Sequence, residues 1–112
     1  MTEPRPASGL LVSALIRRIE AEGGSAMVIN RGDAIAGAML LLLADRGVLN
    51  GIVERVWRFE GGHGLERVGP AEPNEPGVAG DYVARRRRSD PDLWVVEVDH
   101  PEAGRIAAEL LL

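Results

Sequence analysis

The sequence predicts an α+β domain: a single antiparallel sheet of about five strands with three helices, in the order α-β-β-β-β-α-β-α. Three observations predict it. Apolar residues recur at helical spacing near both ends of the chain. Between them lie short apolar or alternating runs, parted by glycine, proline and aspartate turns. A third helical segment, rich in arginine, separates the fourth strand from the fifth.

The first helix spans about residues 9–22. Leu11, Val12, Leu15, Ile16 and Ile19 form its apolar stripe, Gly23-Gly24 stops it, and Ser8 is its expected N-cap. Met27-Val28-Ile29 is a short strand, followed by a turn at Arg31-Gly32-Asp33. Ala38–Ala44 is a continuous apolar run, as expected of a central strand covered on both faces. The third strand covers about 49–59. Glu54 and Arg58 share a face with Ile52 and Val56, so this strand is expected to be twisted or half-exposed. Gly61-Gly62-His63-Gly64 reads as a hairpin turn into a strand at Leu65–Val68.

A proline-rich loop at 69–77 leads to the second helix, which runs to about Arg88. Asn74 or Glu75 is its expected cap, and Val78, Ala79, Tyr82 and Val83 its buried stripe. Leu93–Val98 is the fifth strand, with Trp94, Val96 and Val98 on one face. Asp99 and Glu102 have capping-box spacing before a last helix that buries Ile106, Ala107, Leu110 and Leu111. Three consecutive hairpin-length connections imply the antiparallel sheet, with helices packed on a face.

The 112 residues suit one globular domain over 1–112, with residues 1–8 expected to be flexible. With 46% apolar residues the composition is that of a folded chain, and the net charge of −4 argues against general nucleic-acid binding. No cysteine is present, which excludes disulfides, zinc–thiolate sites and thiol nucleophiles. All 13 basic residues are arginine, so P-loop and Schiff-base lysine chemistry is excluded as well. The apolar runs at Leu10–Ile16 and Leu40–Leu43 are too short for a signal peptide or a membrane span, so a cytoplasmic location without membrane contact is expected.

Arg85-Arg86-Arg87-Arg88 is the most conspicuous cluster. As an anion site, with His100 as a candidate fifth member, it would offer planar guanidinium forks to a phosphate or carboxylate. Against that stands a structural role. Arginines complement a helix C-terminus, Asp81, Asp90 and Asp92 lie close by, and Arg86 extends the buried stripe. His63 falls in a glycine-rich turn and His100 at a helix start, where capping is the expected role. Neither has metal-ligand spacing, so no metal or cofactor is expected. Ser25 follows glycines, yet Met27 stands where a nucleophile elbow needs glycine, and no catalytic residue is assigned. Arg67 occupies the third glycine position of a dinucleotide fingerprint. Trp57, Phe59 and Trp94 are expected in the core.

Three segments together resemble a known family: Val12-Ser13-Ala14-Leu15-Ile16-Arg17-Arg18, Arg31-Gly32-Asp33, and Ala84 through Glu97 with its arginine run, Asp90-Pro91-Asp92 turn and Trp94. The chain resembles the small alphaproteobacterial proteins of domain of unknown function 1491. That resemblance implies a bacterial, single-domain cytoplasmic protein and brings no activity, cofactor or catalytic residue. It also implies that the arginine-rich helix end, the Asp-Pro-Asp turn and the Trp94 strand form one structural unit. The function expected is a non-enzymatic binding or accessory protein, a homodimer or a component held by a protein partner. The alternative is an anion-binding module or enzyme using Arg85–Arg88.

Overall fold

A computed structural model describes residues 6–58 and 61–112, without the Arg58 side chain. The elements are α1 (Ser8–Ala21), β1 (Ser25–Asn30), β2 (Met39–Asp45), β3 (Val48–Arg58), β4 (Gly62–Arg67), α2 (Val78–Ser89), β5 (Trp94–Asp99) and α3 (Ala103–Leu111). Their order is the one expected from the sequence, and so are the three helices and five strands. Of the segment expected to be flexible, residues 1–5 lie outside the described residues, whereas Ser8 is buried and begins α1.

The sheet order is β1-β5-β2-β3-β4. One detail departs from expectation: β5 pairs with β2 in parallel, so the sheet is mixed rather than wholly antiparallel. β1 and β2 are not a hairpin pair, because β5 lies between them and pairs antiparallel with β1. The reason is burial. Both Leu40-Leu41-Leu42 and Trp94-Val95-Val96 are apolar on both faces, so they are stable only as neighbouring central strands. β1 is left at the edge. β2–β3 and β3–β4 are antiparallel, as expected of hairpins.

Helices cover both faces instead of one. α1 and α3 pack Val12, Leu15, Ile19, Ile106, Ala107 and Leu111 on Met39, Leu41, Trp94, Val96 and Val98. α2 packs Ala79 and Val83 on Leu40, Leu42, Ile52, Leu93 and Val95. The period of two along β2 and β5 sends alternate residues to the two cores. Full burial of a side chain such as Leu15 or Ile19 stabilises by about 1.5–3 kcal/mol.

Several polar residues take roles other than those expected. Ser8 is no N-cap: it is buried and its Oγ donates to the Gly37 carbonyl at 2.8 Å. The first amides of α1 are instead satisfied by the loop after β1, Ser8 N–H by the Ile35 carbonyl and Gly9 N–H by the Ala34 carbonyl. Asn74 does not cap α2 either; its Oδ1 accepts the Leu49 amide, and Gly77 with φ 80° precedes the helix. Asp99 holds the β2–β3 turn, accepting the Arg46 and Gly47 amides at 2.9 and 2.8 Å. Both turn residues have positive φ (52° and 81°), the pattern of a type I′ hairpin. The expected turn at 61–64 lies mostly within β4, where Gly62, His63 and Gly64 pair with Arg58, Trp57 and Val56. Phe59 lies outside the described residues.

The Arg31-Gly32-Asp33 segment packs tightly against the start of β5. Trp94 Nε1–H donates to the Asp33 carbonyl at 2.7 Å, the Asp33 amide donates to the Asp92 carbonyl, and the Arg31 guanidinium lies 5.7 Å from the Trp94 ring centre. A Cβ at Gly32 would stand 2.3 Å from the Asp92 carbonyl oxygen, and one at Gly37 2.4 Å from the same atom. Only glycine admits so close an approach of backbone to backbone.

Candidate functional site

The four arginines divide by helix geometry. At about 100° per residue, Arg87, Arg88 and Arg85 span an arc of roughly 160° around Ala84, with Arg86 on the opposite side. Arg86 faces the sheet. It makes a bidentate pair with Glu54, Nη1 to Oε1 at 2.9 Å and Nη2 to Oε2 at 3.0 Å, and Nη1 also donates to the Tyr82 hydroxyl at 2.9 Å. Its side chain is 25% exposed and that of Glu54 19%. The hydrogen bond that Arg86 donates to Glu54 raises the Arg86 pKa above the ordinary guanidinium value. This pair accounts for the imperfect alternation of β3: Glu54 sits beside Ile52 under α2 because Arg86 meets it there.

Arg85, Arg87 and Arg88 are exposed and make no ion pair among the described residues. Arg85 lies over the Tyr82 ring at 5.5 Å. Arg87 and Arg88 flank a shallow depression with Ala84 and Pro91. His100 is not brought to them. The arginines precede β5 and His100 follows it, a separation of roughly 20 Å for six residues of strand. His100 Nδ1 accepts the Glu102 amide at 2.9 Å and Nε2 lies 3.0 Å from the Glu22 carbonyl, so the ring carries its proton on Nε2 and ties α3 to the end of α1.

A second site escaped the sequence reading. A concave space of about 610 Å³ lies between the 35–39 segment and the β3–β4 hairpin, with Ser8 at its edge and Arg55, Trp57 and His63 on its hairpin wall. Trp57, expected in the core, is 58% exposed. The cause is strand length. β2 pairs with β3 only as far as Glu54, so residues 55–58 run on past the end of β2. His63, opposite Trp57 in register, packs edge-on to it with ring centres 5.1 Å apart. Arg55 Nε–H donates to the Leu111 carbonyl at 3.0 Å. The available signal was the length of the third strand, 11 residues beside a second strand of seven.

No group of three or more His, Asp or Glu among the described residues is placed to hold a metal ion. No helix among them is long and apolar enough to cross a membrane.

A helix–sheet–helix sandwich around a mixed five-stranded sheet, with a basic helix end and an overhanging hairpin, defines a small α+β domain of a recognisable class. Residues 7–108 match the family model described as protein of unknown function (DUF1491), and the chain belongs to that family. A crystal structure of a DUF1491 family protein from Caulobacter crescentus CB15 is 33% identical, with 89% of this chain and 92% of that one covered and a TM-score of 0.77. An NMR structure of a DUF1491 family protein from the same organism is 33% identical over 87% of each chain, with a TM-score of 0.71. A solution structure of a protein from A. tumefaciens is 31% identical over 91% of this chain and 92% of that one, with a TM-score of 0.75. Comparison with curated proteins finds no match. The family resemblance seen in the arginine run, the Asp-Pro-Asp turn and the Trp94 strand is therefore real, and the family's function is unknown.

Proposed function

We propose that this protein is a non-enzymatic binding or accessory protein of one domain, acting in the cytoplasm through protein–protein contacts and pairing with a second copy of itself along β1. The observation that carries the reading is the nature of that edge. β1 reads Ser-Ala-Met-Val-Ile-Asn, with no charge and no proline, and Met27, Val28 and Ile29 are exposed. An uncharged apolar edge leaves backbone donors and acceptors ready for another strand, and such edges are normally covered. The opposite edge, β4, carries Glu66 and Arg67 and needs no such cover. Antiparallel pairing of β1 with its copy is self-complementary and closes after two subunits. Leu10 and Ile35, 69% and 72% exposed, add apolar surface on the α1 side of the sheet. Absence of cysteine is in keeping with a reducing compartment.

Sedimentation across a wide concentration range tests it. A dimer is expected for the natural chain and a monomer for Met27→Lys/Ile29→Lys, with the melting temperature of the isolated subunit little changed. A natural chain that stays monomeric at high micromolar concentration refutes self-pairing.

A second reading, an anion-binding module, draws support from the exposure of Arg85, Arg87 and Arg88, which make no ion pair among the described residues. A phosphate or carboxylate could bridge Arg87 and Arg88 across Ala84. Specific nucleic-acid binding is not part of this reading, since 17 acidic residues outnumber 13 basic ones and the arginines splay around the helix.

A further inference from the structure

We infer that β1 and the hollow beside it take the extended C-terminal segment of a partner protein, apolar at alternate residues, with its terminal carboxylate on Arg31. This docking rests on the proposed reading of β1 as an open edge, and it makes a second copy and the partner rivals for one strand.

The backbone supplies the first attraction. β1 lies at the end of the sheet, uncharged and free of proline, so an added chain gains main-chain hydrogen bonds along it. Side chains of an added strand alternate between the two faces, and every second one falls on the α1 side. There it meets apolar surface. Val28, opposite Val96 in register, shares the face of the sheet that α1 covers. Between Val28 and α1 lies a space of about 480 Å³, within the range of small-ligand sites. Buried Val12 and Trp94 form its floor, and Leu10, Ser13 and Ile35 stand exposed at its rim.

Charge fixes the end of the segment. Arg31 is the only charged side chain lining the hollow among the described residues. Its guanidinium lies over the Trp94 ring and makes no ion pair among those residues. Asp33, two residues on, spends its carboxylate on the Ile35 and Ala36 amides. A guanidinium fork held in this way matches an incoming carboxylate.

The position of Arg31 selects a chain end over an internal acidic residue. Arg31 stands one residue beyond Asn30, the last residue of β1. There the chain turns toward α1, where Gly9 N–H bonds to the Ala34 carbonyl and Ser8 N–H to the Ile35 carbonyl. Strand pairing therefore stops at Asn30, and the group next in line for Arg31 is the terminus of an added strand that runs parallel to β1. The same two bonds set the rim in place before binding, so docking orders little of this chain.

Two-dimensional ¹H–¹⁵N NMR on the natural chain tests the docking with the peptide acetyl-Ser-Thr-Val-Thr-Ile, ending in a free carboxylate. Its C-terminal amide, and a free acid with serine in place of valine and isoleucine, are the controls. Saturable shifts of the 25–30 amides, of the Leu10 and Ser13 amides and of the Trp94 indole are expected with the first peptide. The amide should bind roughly tenfold more weakly, in keeping with the loss of one charge-assisted pair, and the serine peptide should give no saturable shifts. Arg31→Gln should bring the free acid down to the affinity of the amide and leave the amide itself unchanged, a selective loss that structural damage does not produce. If Arg31→Gln fails to fold, Leu10→Ser at the exposed rim should weaken both peptides alike at an unchanged melting temperature. Sedimentation in the same titration separates this docking from self-pairing. A dimer split by the free acid supports both, and a monomer that binds it supports the docking alone. A dimer that the free acid neither splits nor shifts leaves self-pairing standing and overturns the docking. Equal binding of acid and amide, or shifts that map away from β1, overturn it as well.

Discussion

Replacing Arg86 by methionine should destabilise the protein by an amount its three neighbours do not approach. Methionine keeps most of the apolar stem and removes the guanidinium, so the change isolates the bidentate bond to Glu54 and the bond to Tyr82. Both partners are less than a third exposed, so the pair lies between a surface ion pair, worth about 0–1 kcal/mol, and a fully buried one, about 3–5 kcal/mol when broken. Hydrogen bonds to charged groups suggest about 1.5–3 kcal/mol. For 112 residues, with an unfolding entropy of about 2.1 cal/mol/K per residue, that lowers Tm by roughly 6–13 °C. Arg85→Ala, Arg87→Ala and Arg88→Ala should each stay within about 0.5 kcal/mol, roughly 2 °C. Thermal melts of the four variants, with Glu54→Gln and the Arg86→Met/Glu54→Gln double variant, complete a cycle. A coupling of about 1–2 kcal/mol between the two positions is expected. If Arg86→Met melts within about 2 °C of the natural chain, or if Arg85→Ala costs more, the assignment of Arg86 to the fold is refuted.

Two further outcomes follow from the geometry. Gly32→Ala and Gly37→Ala should each cost at least about 1–3 kcal/mol, because the new methyl meets the Asp92 carbonyl, whereas Gly80→Ala, with open space around it inside α2, should gain about 0.5–1 kcal/mol; urea midpoints of the three variants check this. The Glu22 and Glu102 carboxyls are held below their ordinary value near 4.5 by hydrogen bonds from Arg18 and Arg105. The stability they add is thus present above about pH 4.5 and is lost as pH falls through the lowered values, so urea midpoints should drop on acidification below that point, and Arg18→Gln/Arg105→Gln should flatten the drop.

How the sequence and the structure compare is clearest at three strands. The apolar run of β2 announced a strand covered on both faces, and Leu40 and Leu41 are indeed fully buried. The Trp94-Val96-Val98 face was legible for the same reason: strand periodicity is a local property. β1 shows the limit. Its three apolar residues looked like those of any short strand, yet all are exposed, since β5 is apolar on both faces and takes the inner place. At the candidate sites the arginine run was visible as composition, but not that Arg86 alone turns inward to Glu54. Trp57 went to the core on residue type, because an overhang is a comparison of two strand lengths and not a pattern within either.

What the chain determines by itself is the set of elements and the faces they bury: helical and strand periods, glycine stops and apolar runs act over a few residues and need no partner to be read. What only the tertiary structure decided is who sits beside whom. Ser8 caps nothing and bonds to Gly37, Asp99 leaves its helix to clamp a hairpin, and α2 crosses to the far face of the sheet. Each of these choices satisfies a polar group or covers an apolar face with residues distant in sequence. Such pairings are won by whichever partner the packed layers bring within hydrogen-bond or contact distance, and spacing along the chain carries no record of that distance.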